Sequence, residues 1–241
     1  MLRKWEELPE NLKIPQVKPY YDALNKKRFS LFLKRMLDVF LAILLIIASF
    51  PIMIVLAILI KLDSKGPAFY RQTRITQYGE EFGIFKFRSM FLGSDKGSQL
   101  TIGRDSRITK IGRFIRKYKL DEIGQLFDVL RGKMTFVGTR PEVPVYVKEY
   151  TPEMLATLLL PAGITSQASI YYKDENKLLD MADDADEMYI HVVLPDKMKY
   201  NLDSIMNFSL INDFKVMVKT FFAILGKEYS YKEPEESKVQ K

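Results

Sequence analysis

The 241 residues predict a mixed α/β fold that is mostly helical, with a re-entrant membrane helix hairpin, short strands and amphipathic interfacial helices. Three observations predict it. Residues 39–60 carry no charged side chain, and those 22 residues are long enough to cross a bilayer core as a helix. Two short apolar stretches, residues 68–71 and 82–87, flank the turn residues Gln77-Tyr78-Gly79 and read as a strand hairpin. Apolar residues at helical spacing then recur in residues 111–118, 120–130 and 203–225.

In chain order, residues 1–33 form a polar segment interrupted by Pro9, Pro15 and Pro19, expected to be extended or weakly helical on the surface. Residues 34–62 are the membrane helix. Ser49-Phe50-Pro51 sits near its middle, where proline removes a backbone donor and crowds the preceding turn, so a break is expected at Ser49 and Pro51. Lys26, Lys27, Arg28, Lys34 and Arg35 precede the run, and Lys61 and Lys65 follow it. Basic residues favour the cytoplasmic side of a bilayer, so bases at both ends fit a hairpin that returns to the face it entered. A straight span with a proline kink is the alternative.

Residues 63–226 form the main domain. After the hairpin of strands, residues 94–107 read as a polar loop, and residues 111–118 as a helix with basic residues on one face. In residues 120–130, Leu120, Ile123, Leu126, Phe127 and Leu130 share a face and Gly132 stops the helix, which places Asp121 and Glu122 in its first turn. Acidic groups complement a helix dipole there, so position alone gives them no chemistry. Residues 143–160 are helix-prone, residues 170–172 could form a short strand, and residues 203–225 form a long apolar-rich helix. Residues 227–241 are a charged, flexible tail.

The chain has no cysteine and one histidine, His191, which excludes disulfides, thiolate nucleophiles, cysteine-bound zinc and a histidine-rich metal site. The net charge of +7 divides unevenly: +4 in residues 1–60, +9 in residues 61–141 and −6 in residues 142–241. A basic centre beside an apolar run suits an anionic ligand, anionic membrane lipid or both. A membrane-tethered nucleic-acid binder is the competing class, but it gives no reason for Asp121 and Glu122 to sit among arginines.

Lys86 and Arg88, Arg113 and Arg116, and Arg140 lie on short turns near the apolar run. Several cations around a carboxylate pair is what phosphoryl transfer requires, because catalysis there consists of positioning and charge neutralisation. Adjacent carboxylates could also hold magnesium. These residues fall in ordered motifs: Lys34-Arg35-Met36-Leu37-Asp38, the run broken at Pro51, Gly66-Pro67-Ala68-Phe69-Tyr70-Arg71-Gln72-Thr73-Arg74, Phe85-Lys86-Phe87-Arg88-Ser89-Met90, Arg107-Ile108-Thr109-Lys110-Ile111-Gly112-Arg113, Leu120-Asp121-Glu122-Ile123-Gly124-Gln125-Leu126 and Val137-Gly138-Thr139-Arg140-Pro141. Together they resemble the bacterial sugar transferase family, the monotopic polyprenyl-phosphate phosphoglycosyl transferases.

The resemblance implies a ping-pong reaction at the cytoplasmic face of the bacterial inner membrane. Asp121 would attack the phosphate next to the sugar of a UDP-sugar, release UMP and carry the phosphosugar, which polyprenyl (undecaprenyl) phosphate would then accept. Glu122 would join Asp121 in catalysis and in holding Mg2+, while Lys86, Arg88, Arg116 and Arg140 would hold phosphate. The implied role is the first membrane step of a surface glycan, such as a capsule, an exopolysaccharide or a glycoprotein glycan. A non-catalytic adaptor of a polysaccharide assembly complex is the alternative, and the intact Asp121-Glu122 pair counts against it. Two positions depart from the family, which commonly has proline where this chain has Gly124 and Thr139.

Other features read as structural. Asp184-Ala185-Asp186 imitates a glycosyltransferase metal motif but lies in an acidic stretch with no strand before it. His191 has no supporting motif. Lys117-Tyr118-Lys119 reads as a nonspecific surface anchor, and Asp38 as a helix cap pairing with Arg35. The aromatic and methionine residues of the last helix read as packing rather than as a lipid groove.

Overall fold

The computed structural model describes residues 2–93, 106–173, 175, 179, 180, 182, 184–227 and 229. The loop expected over residues 94–107 and the tail from residue 227 therefore lie almost wholly outside the described residues. The described chain is mostly helical with short strands, as its sequence predicts.

It begins with two 3-10 turns, Trp5–Glu7 and Glu10–Leu12, and helix α1, Lys18–Asn25. The polar segment expected on the surface instead contributes to the core. Leu2, Leu8, Leu12, Val17, Tyr21 and Leu24 are buried against Ala156, Leu158, Leu159, Ile205 and Phe208. Their irregular spacing follows the proline-bent path and gives no periodic signal.

Helix α2, Arg28–Asp63, is the one described helix long and apolar enough to cross a membrane, with a mean hydropathy of 3.2 over its most apolar 18-residue window. It is helical throughout, including the stretch at Ser49 and Pro51 where the sequence predicts a break. Pro51 lies on the exposed side, and the Ser49 hydroxyl donates to Leu45 O at 2.6 Å, a local bond of the kind that accompanies helix bending. Ile43, Leu44, Ile47, Phe50, Ile52, Ile54, Val55 and Ile58 are exposed. Leu31, Lys34, Asp38 and Ala42 toward one end, and Met53, Leu56 and Ile60 toward the other, are buried in the protein.

Three charged residues fix the first half. Lys34 Nζ donates to Val137 O (2.9 Å) and to Asp213 (2.5 Å), and Arg35 donates to Val129 O (2.6 Å) and Leu130 O (3.0 Å). Asp38 accepts from Thr135 Oγ1 (2.5 Å) and Phe136 N (3.3 Å), so it anchors the helix to a strand instead of pairing with Arg35.

Strands β1, Phe69–Ile75, and β2, Glu81–Phe87, form the expected antiparallel hairpin through the Gln77–Gly79 turn. Helix α3, Lys110–Lys117, is capped by Thr109. Residues 120–130 divide into a 3-10 turn, Leu120–Gly124, and helix α4, Gln125–Leu130. Strand β3, Met134–Val137, follows; then helix α5, Pro144–Val147, a 3-10 stretch, Met154–Leu159, and strand β4, Ala162–Thr165, which pairs parallel to β3. Helix α6, Gln167–Tyr171, occupies the place of the expected strand. Helix α7, Ala185–Met188, runs through a π-helical turn, Tyr189–Val193, into helix α8, Leu194–Met206. Helix α9, Leu210–Ile224, is separate from α8 because the buried Phe208 interrupts the helix and Ser209 caps the next one at Asn212 N.

Candidate active site

Four local structures converge. Strand β2 brings Lys86, the end of α3 brings Arg116, the 3-10 turn brings Asp121 and Glu122, and the chain leaving β3 brings Arg140. The turn is aimed by Lys119, whose left-handed backbone (φ 55°) is uncommon for a residue with a side chain. Asp128 then ties α4 to β2, accepting from Phe85 N at 2.7 Å.

The turn lies very close to β2. A Cβ placed on Gly124 would stand 2.8 Å from Phe85 O and 2.9 Å from the Phe85 ring. Glycine at this position thus lets the carboxylate turn approach closely the strand that carries Lys86. The neighbouring strands are equally close, since a Cβ on Gly163 would meet Gly138 O at 2.1 Å. Gly163 N also donates to Thr139 O at 2.8 Å.

The two carboxylates have different surroundings. Both oxygens of Glu122 accept from Arg140, through Nη1 at 3.3 Å and through a shorter contact to Nη2, and Lys86 Nζ lies 3.9 Å from Oε1. Burial alone would raise the Glu122 pKa, but Arg140 and Lys86 overcome it and hold the carboxyl down at about 2. Asp121 shifts the other way, raised by burial and then by the Glu122 charge, with Lys86 and Arg116 opposing. Its Oδ1 is buried and makes no hydrogen bond. One carboxylate is neutralised and held, while its neighbour has a desolvated oxygen with no hydrogen-bond donor.

Burial lowers the Lys86 ammonium to about 8, against the opposing pull of Glu122. The Glu122 charge raises Arg140 above the ordinary arginine value. Arg74 on β1 also belongs here. It donates to Pro141 O at 3.2 Å and interacts electrostatically with Glu142, Arg140 and Glu122, a role its motif alone does not signal. Arg74, Lys86, Arg116 and Arg140 thus gather near Asp121 and Glu122, with Glu142 also acting on Arg74 and Arg140.

Arg88 is not brought to the carboxylates. It is 4% exposed, and its guanidinium donates to Lys65 O (2.8 Å), Ser64 O (2.7 Å), Ser64 Oγ (2.9 Å) and Ile60 O (3.4 Å). The expected phosphate ligand instead caps the last carbonyls of α2. It lies just beyond the end of β2, where strand alternation with Lys86 no longer places it.

The fit to magnesium rests on Asp121. Its buried, unpartnered Oδ1 is the hard anionic oxygen that magnesium prefers. Glu122, assigned to the same metal from the sequence, has both oxygens engaged by Arg140. Among the described residues, no three or more His, Cys, Asp or Glu side chains gather as a metal site. The donor set thus fits an ion held by one carboxylate with substrate phosphates completing the shell. Asp184 caps α7 through Asp186 N and Glu187 N, and His191 pairs with Glu187 on the surface, so both stay structural.

Residues 29–227 match the family profile described as Bacterial sugar transferase. The chain is 34% identical over 198 residues to a UDP-N-acetylgalactosamine-undecaprenyl-phosphate N-acetylgalactosaminephosphotransferase of Aeromonas hydrophila, covering 80% of this chain and 44% of that protein. It is 30% identical over 224 residues to a UDP-glucose:undecaprenyl-phosphate glucose-1-phosphate transferase of Xanthomonas campestris, covering 90% and 44%. A protein of the same description from Caulobacter vibrioides is 33% identical over 202 residues, covering 82% and 72%. The chain thus spans less than half the length of the first two relatives.

Proposed function

The chain belongs to the bacterial sugar transferase family, and on that premise we propose that it transfers a phosphosugar from a UDP-sugar to undecaprenyl phosphate with release of UMP. The observation that carries this reading is the buried, unpartnered Asp121 oxygen among Lys86, Arg116 and the Arg140-bound Glu122. A nucleophile needs a free electron pair, and the surrounding cations supply charge neutralisation.

In the first half-reaction an Asp121 carboxylate oxygen attacks the phosphorus bonded to the sugar. The bond between that phosphorus and the bridging oxygen breaks, and UMP leaves with the electron pair. In the second half-reaction an oxygen of undecaprenyl phosphate attacks the same phosphorus and the Asp121 carboxylate leaves. No net proton transfer to protein is needed. Lys86, Arg116, Arg140 and Arg74 hold the phosphate oxygens in both halves, and Glu122 keeps Arg140 in place. Asp121 would be the residue that holds a magnesium ion, which would supply further neutralisation of phosphate charge when bound.

The membrane reading is that α2 enters and leaves the same face of the bacterial inner membrane, with the catalytic residues in the cytoplasm. Its support is that both ends of α2 are tied to one protein body. At one end Lys27 Nζ donates to Phe208 O (2.6 Å) and Arg28 to Leu2 O (3.1 Å). At the other, Arg88 holds Ser64 and Asp63 accepts from Ile111 N (2.9 Å). A straight helix of this length would extend about 54 Å and carry its ends far apart. Helices α3 and α9 serve as interfacial elements on this reading. Phe114 and Tyr118 are exposed at α3, and Ile211, Phe214, Phe221, Phe222 and Ile224 are exposed on α9. The product would begin a surface glycan.

The test is UMP release by detergent-solubilised protein with magnesium, undecaprenyl phosphate and UDP-glucose, UDP-galactose and UDP-N-acetylgalactosamine, alongside Asp121→Asn. Turnover of at least one sugar by wild type, label retained on denatured wild-type protein, and loss of both in the variant are expected. Equal turnover by the variant would remove Asp121 as the nucleophile.

A further inference from the structure

A second charged cluster, buried beside the active site, takes no part in the reaction as described. Glu142 is 7% exposed, Lys197 5% and Tyr189 2%. The Tyr189 hydroxyl donates to Glu142 Oε1 at 2.5 Å, and Lys197 Nζ donates to that hydroxyl at 3.1 Å and to Glu175 Oε2 at 2.9 Å. Lys197 also stands 3.8 Å from Glu142 Oε1. The Tyr189 ring packs on Tyr146 with centroids 4.7 Å apart.

The cluster is assembled from distant parts of the chain. Glu142 follows Arg140 by two residues, while Tyr189 and Lys197 come from the π-helical turn and α8. Such turns shift side-chain register within a helix and recur at functional sites. The backbone between Arg140 and Glu142 is tied to β1 as well, because Arg74 donates to Pro141 O (3.2 Å) and Ile75 N to Glu142 O (2.9 Å). Its side chain is held by the C-terminal helices and its backbone by the strand that carries Arg74.

Stability alone does not account for this arrangement. An apolar cluster of similar volume would stabilise the layer as well or better, since buried ions lose hydration. Its carboxylates do suit their neighbours: Glu142 and Glu175 outnumber Lys197, and Glu142 acts electrostatically on both Arg74 and Arg140. We propose that Glu142, Tyr189, Lys197 and Glu175 are positioning residues that hold the Arg140-Pro141-Glu142 segment against β1, so that Arg140 and Arg74 meet the transferring phosphate together. The C-terminal helices thereby take part in the reaction through the catalytic domain's own arginines. This rests on the transfer reaction proposed above.

Tyr189→Phe removes one hydroxyl and keeps the ring stack, and Lys197→Met removes the cation with little change in volume. Steady-state UMP release is measured with the UDP-sugar that wild type turns over, together with melting in detergent. For folded variants, kcat falls about 10- to 100-fold, the cost of a misplacement of about 1 Å. KM for undecaprenyl phosphate stays within about two-fold of wild type, and Lys197→Arg recovers most of the rate. Wild-type kcat and KM in folded Tyr189→Phe and Lys197→Met would overturn the proposal. So would Lys197→Met losing melting temperature and rate together when Lys197→Arg restores only the melting. Wild-type protein inert toward every sugar would overturn the transfer reaction and the positioning role with it.

Discussion

Arg140 and Arg88 stand at two regions that look alike in sequence, each an arginine in a short motif beside the membrane run, and the structure uses them in opposite ways. At the carboxylate turn Arg140 is half-buried and held mainly by the two oxygens of Glu122, with a longer bond from Nη1 to Ile164 O (3.4 Å). At the end of α2, Arg88 is buried and bonded to backbone carbonyls, with no carboxylate partner among the described residues. Its carboxylate partner keeps Arg140 beside the other cations of the site. A set of carbonyls makes Arg88 a structural brace between the membrane helix and β2.

The strongest way to break this contrast is Glu122→Gln. Arg140 then loses its ionic partner, and UMP release is expected to fall on the order of 10²-fold, with melting in detergent little changed. Arg88→Met is the matching experiment at the other region. Roughly 2 kcal/mol of stability should be lost as carbonyls and the Ser64 hydroxyl lose a charged donor, while KM for the UDP-sugar stays at the wild-type value. Normal melting with a raised KM would place Arg88 on the phosphate after all.

The pH profile of kcat/KM sharpens the comparison, because that ratio reports the free enzyme. Asp121 must be ionised to attack, and burial raises its pKa, so the acid limb should lie above the ordinary carboxylate value. Lys86 must be charged to hold phosphate, so activity should fall as pH rises through about 8. Lys86→Arg should move that basic limb upward, and an unmoved limb would assign it to another group. The smallest effect is expected at Asp184→Ala, which removes the cap of α7 at a cost of about 1 kcal/mol or less and leaves UMP release within about two-fold of wild type.

The site was more legible in the sequence than the body that supports it. Asp121, Glu122, Lys86 and Arg140 lie in short segments whose order and spacing were readable, and the fold gathers them. Arg88 sits apart from the carboxylates because its side chain is used after β2 has ended, where the two-residue period of a strand no longer applies. Strands β3 and β4 have four residues each and pair across a long connection, too short to show a period. The N-terminal leucines left no trace because a proline-bent chain buries residues without regular spacing. The division between α8 and α9 did have a signal in Ser209, a capping residue inside an apolar run. The Glu142 cluster joins residues more than 40 positions apart, and no local pattern records such a pair.

On the proposed reading that α2 returns to the membrane face it enters, its two tethers have a consequence for the lipids around it. A helix that spans must match its apolar length to the thickness of the hydrocarbon layer, and mismatch costs fractions of a kcal/mol per ångström. A helix that returns to its own face spans nothing and has no such length to match. It instead pushes lipid tails aside in a single leaflet. In vesicles, activity should then be indifferent to acyl-chain length between about 14 and 20 carbons, yet fall as saturated chains tighten the lateral packing. A sharp optimum in chain length would point to a spanning helix instead.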